Sequence, residues 1–282
     1  MKSDAVVAAM AEGAPLHKLR DLPAVRARGQ LRADRPTLLV GGMLAGITVG
    51  AWAIASRMDM AMYTSVHSGP QLVGAIGFVG TWVVMMTAMM LPSAAPLVLL
   101  YRIAGPGGRA AHALPVVAGY LVTWASFGAL VYAAQQVLVT VFDVTSAWVD
   151  ARPYAGAGIL AVAGVYQFTS LKKACLLNCR SPLDFLIRRW RGSGVFGALR
   201  LGADHGAYCV GCCWALMAVL VGAGSMSLLW MVLIALLVFM EKVMAFGERG
   251  AQLSGAGLGL LALLVAVRPD LSILARASGT GM

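Results

Sequence analysis

An all-α, polytopic transmembrane helix bundle of about seven spans, with its N-terminus in the cytoplasm, is the fold class the sequence predicts. Three observations predict it. Of 282 residues 60% are hydrophobic and only 12% are charged, far more apolar than a soluble domain can bury. Apolar runs of about 20 residues, the length that crosses the hydrocarbon layer as a helix, recur along most of the chain. The basic residues fall in alternate connections between those runs, as the positive-inside rule requires.

The first 36 residues carry Lys2, Lys18, Arg20, Arg26, Arg28, Arg32 and Arg35 and are expected to form a basic cytoplasmic tail. No small-residue cleavage site with a polar mature domain follows the first apolar run, so a cleavable signal is not expected. Seven apolar segments follow, at 37–55, 71–92, 114–141, 154–171, 206–224, 226–246 and 253–268, so residues 37–268 are expected to form the membrane domain and 269–282 a C-terminal tail. Gly42, Gly46 and Gly50 in the first segment form a stripe of small residues suited to close helix packing, within one chain or in a homo-oligomer. Pro92 and Pro96 are expected to break or kink the end of the second segment.

The connection after the second segment holds Arg102 and Arg109 and is placed inside. The one after the third holds Asp143, Asp150 and Arg152 and is placed outside. The most basic connection, with Lys172, Lys173, Arg180, Arg188, Arg189, Arg191 and Arg200, again falls inside. Within it, residues 183–190 mix apolar side chains with a basic pair and suit an amphipathic segment lying on the inner membrane surface. Topology thus accounts for the net charge of +10, and no nucleic-acid partner is expected; the expected surroundings are lipid.

The five cysteines form two groups, Cys175 and Cys179 at the end of the fourth segment and Cys209, Cys212 and Cys213 at the start of the fifth. On a helix, Cys175 and Cys179 project from one face, and Cys209 does so with Cys213 or Cys212. A hairpin of the two helices offers four or five sulfurs to one point. On the cytoplasmic side thiols stay reduced, so a metal or redox site is expected in preference to a structural disulfide. His205 and Met217, four residues before Cys209 and four after Cys213, extend the stripe of donors, and Asp204 could orient the imidazole or cap the helix. Met85, Met86, Met89 and Met90 pair at four-residue spacing in the second segment. Thioether with thiolate is the soft donor set that favours Cu(I), with zinc as the alternative metal. Glu241 interrupts the sixth segment, where a carboxylate needs a partner, water or a function. There is no P-loop, no H-E-x-x-H and no G-x-S-x-G, so neither nucleotide binding nor a known type of hydrolysis is expected.

Four blocks of sequence resemble the bacterial predicted metal-binding integral membrane proteins of uncharacterised function, which are copper-chaperone-like. They are Trp82 to Pro92 with Pro96, Cys175-x-x-x-Cys179-Arg180-Ser181-Pro182, His205-Gly206-x-x-Cys209-x-Gly211-Cys212-Cys213-Trp214-x-Leu216-Met217, and Glu241-Lys242. The resemblance implies a membrane-embedded site for a soft metal, copper; the function expected on this reading is to pass the metal to or from a metal-donor or metal-acceptor protein or across the bilayer. Two other readings stay open: a thiol–disulfide oxidoreductase using the C-x-x-C pair Cys209/Cys212, and a metal-free assembly factor for a membrane complex.

Overall fold

A computed structural model describes residues 35–57, 71–104, 113–141, 146–190, 194–222, 228–244 and 247–268. The basic N-terminal tail up to residue 34 and the C-terminal tail from residue 269 lie outside the described residues. Among the described residues there are nine helices and no strand: α1 (Arg35–Ala55), α2 (Gln71–Ala104), α3 (Ala113–Val141), α4 (Ser146–Tyr166), α5 (Ser170–Arg180), α6 (Pro182–Arg189), α7 (Val195–Gly222), α8 (Leu228–Val243) and α9 (Gly247–Val267). The expected all-α class holds.

The span count is lower than seven. Five helices, α1, α2, α3, α7 and α9, are long and apolar enough to cross a membrane, and a sixth span results if α4 and α5 are counted as one. Those two are bent by 65° at a short break, which Thr169 closes by accepting a hydrogen bond from the amide of Lys172 at the start of α5. The sixth apolar segment yields only the 16 residues of α8, about 24 Å of helix against a hydrocarbon layer of roughly 30 Å.

Three local expectations also change. Pro92 and Pro96 do not end α2, which runs through both to Ala104. Each costs an amide hydrogen bond, but Leu91, Leu97 and Val98 around them are buried, and packing holds the helix together. Among the described residues the glycine stripe of α1 is not a packed face: a Cβ at Gly42, Gly46 or Gly50 would meet nothing within 4 Å. α1 instead lays Val40, Leu44, Ala51 and Ala55 inward, chiefly against α2, whose Arg102 also donates a hydrogen bond to Thr37 of α1. The basic connection is itself helical. Lys172 lies on α5 and is buried, and α6 buries Phe185 and Leu186 while Arg189 donates to Tyr208 and pairs with Asp204.

The core forms where α7 crosses α3. At Gly202 an added Cβ would lie 1.9 Å from the Val116 carbonyl oxygen, and at Gly119 one would lie 2.0 Å from that of Leu199, so the two backbones touch and only glycine fits. This crossing draws α7 to the middle of the bundle, between α3, α5, α4 and α8.

Candidate metal centre

Because α7 begins at Val195, about 21 Å of helix precede Cys209 and about 14 Å follow Cys213. The triplet therefore stands near the middle of its helix, not at an end as the apolar segment 206–224 suggested. Met85 to Met90 fall halfway along α2 in the same way. One buried cluster takes in Met85, Met86, Met89 and Met90 of α2, Cys175 and Cys179 of α5, Cys209, Cys212, Cys213 and Met217 of α7, and Met231 of α8. All five cysteines are free thiols. Helical spacing and the central crossing thus converge two thiol pairs and a methionine run that are widely separated in sequence.

Within the cluster, Cys179 Sγ and Cys212 Sγ approach to 3.9 Å across the α5–α7 interface. Cys175 packs its sulfur over Gly211, where a Cβ would stand 2.7 Å from it, and Tyr166 donates its hydroxyl hydrogen to the Gly211 carbonyl. Cys212 and Cys213 turn their thiols along the helix, donating to the Cys209 carbonyl at 3.1 and 2.8 Å. Cys209 lies beside them in the same cluster and has polar partners of its own. Its sulfur accepts from the Lys242 ammonium at 2.9 Å and lies 3.0 Å from the Tyr120 hydroxyl.

Beside the sulfurs lies an ion pair. Lys172 Nζ donates to Glu241 Oε2 at 2.6 Å with side-chain exposures of 1% and 3%, and Ser254 donates to the other carboxylate oxygen at 2.9 Å. Glu241 is thereby occupied by α5 and α9, while its neighbour Lys242 reaches the cysteines. His205, one turn before Cys209, is buried among rings, 6.0 Å from that of Tyr120 and 5.1 Å from that of Phe185. Its Nδ1 has no hydrogen-bond partner among the described residues. Asp204 neither orients this imidazole nor caps the helix: it pairs with Arg189 at 3.5 Å.

As the side chains stand, no group of three or more His, Cys, Asp or Glu among the described residues is arranged to hold a metal ion. The donor chemistry nevertheless fits a soft ion. A separation of 3.9 Å between two sulfurs is within twice a metal–sulfur bond of about 2.3 Å, and the surrounding thioethers suit Cu(I). Sequence reasoning did not bring Lys172, Lys242, Tyr120 or Ser93, which accepts from Lys242 at 3.3 Å, to the sulfurs. The signal for Lys242 was present, since a charge in an apolar run must find a partner. Tyr120 and Ser93 carried none.

The family described as PpoB2, copper chaperone, matches residues 79–265, which include all five cysteines and both charged residues of α8. The chain belongs to this copper chaperone family. No curated protein and no solved structure matches it. Copper handling is therefore the general function of the chain, and the match runs from the methionine-rich part of α2 to nearly the end of α9.

Proposed function

We propose that this copper chaperone is embedded in the bacterial inner membrane and binds Cu(I) as cargo through cysteine thiolates with methionine support, passing it to or from a partner protein or across the bilayer. The observation that carries the reading is the convergence of thiols from α5 and α7 with the thioethers of α2 in one buried cluster. Cys179 and Cys212 are the first ligands, with Cys209, Cys213 and Cys175 as the remaining thiolates. Met90, Met86, Met89, Met85 and Met217 supply thioethers, and His205 offers an unpartnered nitrogen one turn away. Membrane embedding is supported by the outward faces: Leu39, Leu72, Ile76, Leu130, Leu253 and Leu263 are all largely exposed, an apolar exterior that water does not tolerate but lipid does. Glu241 acts as a structural partner of Lys172 beside the centre.

The deciding experiment is elemental analysis of detergent-purified protein prepared anaerobically under reducing conditions, beside a variant with all five cysteines changed to serine. Near-stoichiometric copper that disappears in the variant is expected. Absence of copper after incubation with Cu(I) refutes the proposal, and stoichiometric zinc redirects it. The 3.9 Å approach of Cys179 and Cys212 also favours a second reading, thiol–disulfide exchange. Metal-independent disulfide turnover by the purified protein distinguishes it.

A further inference from the structure

Lys242 is buried, and among the described residues no carboxylate lies within ion-pair distance of it, because Glu241 is turned to Lys172. Its ammonium donates instead to Cys209 Sγ at 2.9 Å and Ser93 Oγ at 3.3 Å, and lies 3.9 Å from Met90 Sδ. A charge withdrawn from water requires compensation. Here it leans on two of the sulfur donors themselves.

Sulfur alone does not separate copper from zinc, since thiolate sets bind zinc well. A fixed positive charge beside the donors does, because it repels a divalent ion twice as strongly as a monovalent one. An ion on Cys209, at a bond length of about 2.3 Å, lies within roughly 5 Å of the ammonium. At an effective dielectric constant of about 20, the extra unit of charge on a divalent ion lowers its affinity by about two-hundredfold.

We propose that Lys242 is the specificity-determining residue of the sulfur centre, its buried ammonium admitting the monovalent soft cations Cu(I) and Ag(I) to Cys209 and Met90 and disfavouring divalent Zn(II). The inference rests on the soft-metal reading above. It concerns the charge of the cargo, which neither the donor set nor the family description specifies.

The test is competition between Ag(I) and Zn(II) for the full chain in detergent, read by elemental analysis after dialysis. Lys242→Gln keeps a hydrogen-bond donor without the charge, and Lys242→Arg keeps the charge. Ser93→Asp leaves the lysine in place and neutralises it from its own contact, so the charge can still be tested should the glutamine variant not fold. The ratio of zinc to silver bound is expected to rise about two-hundredfold in Lys242→Gln and in Ser93→Asp, and to stay within about threefold of wild type in Lys242→Arg. An unchanged ratio in either neutralised variant overturns the inference while leaving soft-metal binding intact. Failure of the wild-type chain to load Ag(I) overturns both.

Discussion

Replacing Lys172 by methionine tests whether the bundle depends on the ion pair beside the sulfurs. The side chains of Lys172 and Glu241 are 1% and 3% exposed and meet at 2.6 Å. At an effective dielectric constant of about 20 their attraction is roughly 6 kcal/mol, most of it spent on desolvating the two groups. Deleting the lysine alone leaves a buried carboxylate with Ser254 as its remaining partner, and a loss of about 3–5 kcal/mol in unfolding free energy is expected. In the double variant Lys172→Met/Glu241→Gln no charge is stranded, and stability should return to within about 1 kcal/mol of wild type. Unfolding in mixed micelles, followed by the fluorescence of the seven tryptophans, measures the two single variants, the double variant and the wild type as a double-mutant cycle. Additive losses, with the double variant weaker than either single one, would refute the argument.

Copper affinity should fall between neutral and mildly acidic pH, because the metal displaces protons from thiols and added protons drive the exchange backwards; a competition titration with a Cu(I) chelator reads it. Gly211→Ala places a methyl group 2.7 Å from Cys175 Sγ and should destabilise the fold by about 1–3 kcal/mol, with Cys175→Ala in the same chain relieving most of the loss. Gly202→Ala drives a Cβ to 1.9 Å from a backbone oxygen of α3 and should prevent accumulation of folded protein, whereas Gly46→Ala, with open space around it, should be neutral or stabilising by up to about 1 kcal/mol. Thermal unfolding of the purified variants checks both.

Hydropathy made the helices legible because lipid-length apolar runs carry their own signal, and each of the seven segments does contain a helix. Their ends were not legible. The run 206–224 starts where apolarity starts, but α7 starts at Val195, because Arg200, Asp204 and His205 continue a helix in which Asp204 finds an ion-pair partner and His205 finds aromatic cover. That difference of nearly three turns moves the cysteines from a helix end to its middle. The prolines of α2 and the break at residues 167–169 misled in opposite directions, since packing overrides the first and no composition signal marks the second. The sulfur cluster was legible from spacing alone, because i and i+4 residues share a face whatever surrounds them. Its polar neighbours were not: Lys172 read as a loop charge marking the cytoplasmic side, and only the fold turns it inward against Glu241.

Order matters as much as composition in the dipeptide Glu241-Lys242. Successive residues on a helix point about 100° apart, so one turn of α8 sends a carboxylate to Lys172 on α5 and an ammonium to Cys209 on α7, bracketing the two helices that carry the thiols. Exchanging the pair, Glu241→Lys with Lys242→Glu, alters neither net charge, composition nor hydropathy. It sets one ammonium against that of Lys172, at a place where the native partners stand 2.6 Å apart, and a carboxylate against Cys209. One like-charge contact replaces an ion pair and a carboxylate replaces the ammonium beside Cys209, in a buried setting, so the exchanged chain should be less stable than either single neutral variant, Glu241→Gln or Lys242→Gln. Denaturant midpoints for the three variants decide it. An exchanged chain as stable as wild type would show that the two charges see only an averaged field, and the bracket formed by α8 would have to be abandoned.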